Sequence, residues 1–187
     1  MKQEKSRTGT YIAIFIGVVM VASVMGFLWG GQSSGASQKY GQFSFTYRNG
    51  QWISNVQGKI IVIRHLPGDL ENITVPEDAK TMVSNAGMVY ITYSNSTNPQ
   101  NLALAQYELG NNLATNTRFV INALAYQNPN NATVITCENA TQSVPVIMLV
   151  ESEENNSIFL NKSCIVLEGS PSVVSDRLVY AAYGIIK

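Results

Sequence analysis

His65 is the one histidine in the chain. Any chemistry that needs an imidazole must run through it, and metal sites built on several histidines are excluded. It follows the apolar run Lys59-Ile60-Ile61-Val62-Ile63-Arg64 and precedes Leu66-Pro67-Gly68, which places it at a strand end. Asp69 and many serines make a Ser-His-Asp arrangement permissible by count. The G-x-S-x-G match Gly31-Gln32-Ser33-Ser34-Gly35 falls in a Gly/Ser-rich stretch between an apolar run and the first strand, not on a strand–helix turn, so it is not a nucleophile elbow. His65 therefore reads as an ordinary loop histidine. The alternative is an extracytoplasmic enzyme using His65 or a carboxylate site. Two acidic groups are candidates for such a site, Glu151, Glu153 and Glu154, and Asp69, Glu71, Glu77 and Asp78. Calcium takes several oxygen ligands at defined spacing, and the EF-hand spacing is absent. The first group reads as a solvated hairpin tip, the second as loop and helix-start charges. No glycine-rich phosphate loop joins a strand to a helix. The expectation is a protein without catalytic, cofactor-binding or metal-binding residues, and not an enzyme.

Two cysteines, Cys137 and Cys164, lack CxxC spacing, so a redox motif or zinc site is not indicated. In an oxidising exterior they pair as a disulfide, worth roughly 3–4 kcal/mol on the chain-entropy estimate. The other reading is two buried free thiols. Six N-x-S/T sequons, at Asn72, Asn95, Asn131, Asn139, Asn155 and Asn161, make a glycoprotein surface the expectation. Chance alone gives about three in a chain this rich in Asn, Ser and Thr. Asn95 and Asn131 lie in the plainest loops.

What must position these residues is set by the N-terminus. Tyr11 to Trp29 carries no charge over a length that matches a bilayer's hydrocarbon core. Tyr11 and Trp29 stand where aromatic rings favour the interface, and Lys2, Lys5 and Arg7 keep residues 1–10 cytoplasmic. The expectation is a single-pass membrane protein with its C-terminal part outside the cell. A cleaved signal peptide is the competing reading, with Gly35-Ala36-Ser37 as its small-residue site, but the apolar run is too long for one. Gly9, Ala13 and Gly17, and Ala22, Gly26 and Gly30, have the small-xxx-small spacing that permits a homodimer through the membrane helix. Residues 30–39 read as a Gly/Ser linker. Formal net charge is zero over 187 residues, so no basic footprint points to nucleic acid.

Residues 40–187 are long enough for one domain with a real core. Phe43, Phe45 and Tyr47 alternate with polar residues as in a half-buried strand, and Asn49-Gly50 is a hairpin turn pair. Lys59–Arg64 reads as a strand buried on both faces. Helices are expected over Pro76–Ala86, Asn98–Leu113 and Pro171–Ile186. Further strands are expected over Val89–Tyr93, Arg118–Tyr126, Thr133–Cys137, Val146–Val150, Ser157–Leu160 and Cys164–Leu167. The second helix carries the stripe Leu102, Ala105, Leu109, Leu113. The third carries Val174, Leu178, Ala181, Ala182, Ile185, the pattern of a helix covering a sheet. This order is an α/β fold, a mixed sheet with covering helices.

The stretches FSFTYRNGQW, CENATQSVPVIML, and NKSCIVLEG followed by DRLVYAAYGII resemble single-anchor envelope proteins of small-genome archaea. The resemblance spans most of the outer domain. It implies an anchored outer domain with the pair Cys137 and Cys164, and no catalytic residue. The expected function is a membrane-anchored binding or structural domain of the cell envelope, with a protein or glycan partner. A pilin-like filament subunit is the alternative suggested by Arg7-Thr8-Gly9, although the Gly/Ser linker interrupts the shaft such a filament needs.

Overall fold

The computed structural model describes residues 7–30, 35–114, 119–127 and 133–186, and within the first stretch the side chains of 11–23 and 25. The chain divides into two units between Gly35 and Ala36. The first holds α1 (Arg7–Gly30), a helix of 24 residues, which is about 36 Å long. It extends beyond the expected Tyr11–Trp29 at both ends. Among the described residues no helix is long and apolar enough to cross a membrane.

The second unit is a mixed α/β fold, as expected, but with two sheets in place of one. The first is an antiparallel meander of β1 (Ser37–Tyr40), β2 (Phe43–Arg48), β3 (Gln51–Val56) and β4 (Lys59–Ile63). β1 begins inside the stretch expected as linker. Asn49 and Gly50 both have positive φ, 52° and 82°, the type I′ hairpin geometry. Gln57 and Gly58 repeat it at 54° and 82°. β4 is not buried on both faces, which corrects the reading of its continuous apolar run. Ile61 and Ile63 are buried while Ile60 is 59% exposed, the alternation of a sheet with one solvent face.

The second sheet contains β5 (Met88–Tyr93), β6 (Phe119–Asn122), β7 (Val146–Glu151), β8 (Ser157–Asn161) and β9 (Cys164–Gly169) in the order β6-β5-β7-β9-β8. β8 alone is antiparallel to its neighbour. β6 is shorter than expected, and residues 133–137 do not form a strand. They make a single parallel bridge, Leu124 to Val134, and then a 3-10 turn at Cys137–Asn139. Local side-chain bonds turn the chain there: Thr136 N donates to Asn139 Oδ1 at 2.9 Å, and Glu138 N donates to Thr136 Oγ1.

Helices α2 (Glu77–Asn85), α3 (Pro99–Ala114) and α4 (Pro171–Ala182) complete the unit. α3 and α4 lie between the two sheets: α3 bonds to both, while α4 bonds to the chain just past β4 and packs on β9. In α4 every residue from Val174 to Ala181 is buried. The expected stripe holds at Val174, Leu178, Ala181 and Ile185, yet the helix is a central layer and not a cover with a wet face. It stops at Ala182, short of the expected Ile186. Gly184 has φ 67°, its N–H donates to Ala181 O, and Ile185 N–H donates to Tyr180 O. These are the two bonds of a Schellman C-cap. The main core runs from Phe45, Ile61 and Ile63 through Leu102, Leu109, Leu178 and Tyr180 to Ile91, Ile147 and Leu167. A smaller cluster of Val146, Cys164 and Val166, with Ile135, Cys137 and Ala140, lies on the far face of the second sheet.

Candidate functional site

The connections of the second sheet create a crevice. β5 leads through α3 to β6 on one side and β7 leads through residues 152–156 to β8 on the other, while the chain between β6 and β7 returns past β5. Ile135, Cys137 and Ala140 of that return pack on the face opposite the helices. Connections that diverge from adjacent parallel strands leave a gap at their carboxyl ends, where ligands of open α/β sheets bind. At the carboxyl ends of β5 and β7 the structure has a cleft of about 750 Å³. Its walls are Ser96, Thr97, Asn98 and Asn101 after β5, Glu151 at the end of β7 with residues 152–156 after it, and Ser170 and Pro171 after β9.

These walls are tied together. Ser96 Oγ donates a short hydrogen bond to Glu151 Oε2 and accepts from Asn98 N at 3.0 Å. Ser94 N donates to Leu149 O, and Ser152 N donates to Gly169 O. Asn156 Oδ1 accepts from Ser170 N at 2.8 Å, holding the turn after β7 against the start of α4. The amino ends of α3 and α4 both border the cleft, so two partial positive charges face the carboxylates of Glu151, Glu153 and Glu154. The three glutamates were expected at a solvated turn. Glu153 and Glu154 are exposed, but Glu151 is half-buried and bonded.

His65 has an acidic partner, and it is not Asp69. His65 Nδ1 lies 2.9 Å from Asp176 Oδ2. The same oxygen accepts the backbone N–H groups of Arg64 and His65 at 2.9 and 3.0 Å. Tyr180 OH donates to His65 O. Asp69 instead accepts from Leu66 N. Asp176 is on α4, far along the chain, so no local spacing signals the pair. Beside it, Arg64 makes a two-pronged contact to Glu108, with Nη2 and Nε at 2.6 and 2.9 Å from its oxygens. That bond raises the Arg64 pKa above its ordinary value.

The remaining carboxylates are dispersed. Glu71 accepts from Tyr40 OH at 2.6 Å, and Glu77 pairs with Lys80 at 2.7 Å. Among the described residues no group of three or more His, Cys, Asp or Glu side chains is placed to hold a metal ion. Cys137 and Cys164 form a disulfide with Cα atoms 5.1 Å apart. It fastens the turn at Cys137–Asn139 to the start of β9. Of the sequon asparagines, Asn72, Asn95, Asn139, Asn155 and Asn161 are exposed, and Asn131 lies outside the described residues. Asn155 lines the cleft, and Asn95 directly precedes its wall residue Ser96. Comparison with protein-family models, curated proteins and solved structures finds no match.

Proposed function

We propose that this chain is a membrane-anchored extracytoplasmic binding domain, held in the bilayer by α1 and receiving a ligand in the cleft at the carboxyl ends of β5 and β7. The observation that carries the anchor is the surface of α1. Ile12, Ile14, Phe15, Val18, Met20 and Val21 are 56–69% exposed on several sides of one helix. An apolar surface all round a helix requires a cover, and lipid supplies one along residues 12–21. The positive tail sets the N-terminus in the cytoplasm. The disulfide and the exposed sequons fit an oxidising, glycan-bearing exterior. External protease on intact cells should remove an epitope placed at Lys187. An epitope protected in intact cells and lost in lysed ones would overturn the orientation.

The enzyme reading draws support from the His65–Asp176 pair. The Asp176 oxygen that faces the imidazole is also bonded to two backbone amides, which gives the pair a structural task at the end of β4. The binding reading is therefore the better supported.

A further inference from the structure

We infer that the cleft takes a neutral, polyhydroxylated ligand of saccharide type. This rests on the binding role proposed above and names the chemistry of that same site. The cleft has the size of a small-molecule site. Every lining residue but Pro171 is polar or charged, and polar atoms make up most of its surface, which disfavours a wholly apolar ligand. No Lys or Arg lines it, so an anion would meet three carboxylates without a cation to offset them. Among the described residues no group of three acidic side chains is placed to hold a metal ion, which disfavours a metal cation. The two helix ends, about half a charge each, offset only part of the three carboxylates, which are left as hydrogen-bond acceptors suited to hydroxyl donors.

The polar groups have the required versatility. Carboxylates of Glu151 and Glu153 accept hydrogen bonds, while the amides of Asn98 and Asn156 and the hydroxyl of Thr97 donate and accept. Sugar hydroxyls also do both. The wall bonds of Ser96 to Glu151 and Asn156 to Ser170 hold these groups before a ligand arrives, lowering the ordering cost of binding.

The test uses the full chain in nanodiscs, made in a host without N-glycosylation so that Asn95 and Asn155 are bare. Backbone amide shifts are followed by NMR during titration with a panel of neutral oligosaccharides, and separately with inorganic phosphate, calcium chloride and spermidine. The expected result is movement of the amides of Ser96, Asn98, Ser152, Asn156 and Ser170 with a neutral oligosaccharide. Glu153→Gln, at an exposed side chain, should weaken that binding several-fold with the remaining spectrum unchanged. If phosphate, calcium or spermidine moves those amides and no sugar does, the saccharide assignment is overturned and the cleft survives as a binding site. If the cleft amides respond to no probe, or sugars move only other faces, both the assignment and the cleft as binding site are overturned.

Discussion

Asn112 of α3 grips Val62 of β4 by both backbone groups: Val62 N donates to Asn112 Oδ1 at 2.9 Å, and Asn112 Nδ2 donates to Val62 O at 2.7 Å. A side-chain amide thus stands where a neighbouring strand would pair. The bonds of Asp176 to Arg64 N and His65 N, and of Tyr180 to His65 O, continue the closure past the end of β4. Side chains close this edge of the meander and protect it from pairing with a further strand. Asn112→Leu keeps the bulk and leaves Val62 N–H and C=O unsatisfied in a partly buried place. A stability loss of about 1–3 kcal/mol is expected. Urea denaturation of the two proteins checks it, and equal midpoints would mean that water serves the edge as well as Asn112 does.

The same helix shows where sequence reading reaches its limit. The stripe Leu102, Ala105, Leu109 and Leu113 is plain in the sequence, and all four residues are buried. Gln106 and Asn112 are buried too, at 7% and 5% exposure. Gln106 Nε2 donates to Ile91 O and Ala123 O at 2.6 and 2.8 Å, so α3 bonds to the second sheet through one amide and to the meander through another. An amphipathic pattern assigns polar residues to the wet face and cannot reveal a helix layered between two sheets. Arg177 of α4 is the extreme case, 2% exposed, with Nε donating to Ile73 O at 2.7 Å and its pKa lowered by burial. Turns fared better, because Asn49-Gly50 encodes its geometry locally. The cleft was invisible in the sequence because its walls come from three separated loops. Only the order of the strands brings Ser96, Glu151 and Ser170 together.

Tyr180 should make the fold sensitive to alkali. Its side chain is fully buried, edge-on to Phe45 with ring centroids 6.1 Å apart. Burial, then the charges of Asp176 and Asp69, raise its pKa well above the ordinary 10.0. A raised pKa means that the folded chain keeps the phenol proton after the unfolded chain has released it. The contribution is therefore complete below pH 10 and is lost as pH rises from there toward the folded value. Tyr40, bonded to Glu71, acts in the same direction. Tyr180→Phe forfeits the bond to His65 O, roughly 1 kcal/mol near neutrality, but has no proton to lose. Denaturation midpoints followed from pH 7 to about 11 should show the gap between wild type and variant closing above pH 10. Parallel curves would remove Tyr180 as the cause.

The disulfide should stabilise one region above all. Cys164 is fully buried at the start of β9, Cys137 sits in the turn, and 27 positions separate them. Removing the bridge with the double substitution Cys137→Ser and Cys164→Ala is expected to cost roughly 3–4 kcal/mol on the chain-entropy estimate. Ile135 and Ala140, which pack on the far face beside it, should then lose amide protection before Leu178 does. Hydrogen exchange resolves the order. Mass spectrometry without reduction should also find no free thiol in the wild-type chain, and a free thiol there would contradict the bridge itself.

Gly169 offers a test of how firmly the cleft wall is seated. Its φ is +129°, a conformation that side chains rarely adopt, and it ends β9 directly before the cap of α4. A Cβ placed there would lie 2.4 Å from Asn156 Oδ1, 2.8 Å from Asn156 Cα and 3.0 Å from Asn155 O. The turn after β7 therefore rests on bare glycine backbone, and two of the three obstructing atoms belong to backbone that cannot swing aside. Gly169→Ala adds backbone strain of order 1–3 kcal/mol to this clash. It should lower the melting temperature and push residues 155–156 outward, weakening the bond from Ser170 N to Asn156 Oδ1. Asn156→Ala removes that bond and one of the three clashes, so the two substitutions should be non-additive, the double variant less destabilised than the sum of the singles. The rival view is a turn that floats free of β9 and closes over the cleft only in some states. That view predicts additive effects and a Gly169→Ala melt set by backbone strain alone. Thermal melts of the four proteins separate the two, and strict additivity would mean that the wall of the cleft is not held where Asn156 and Gly169 place it.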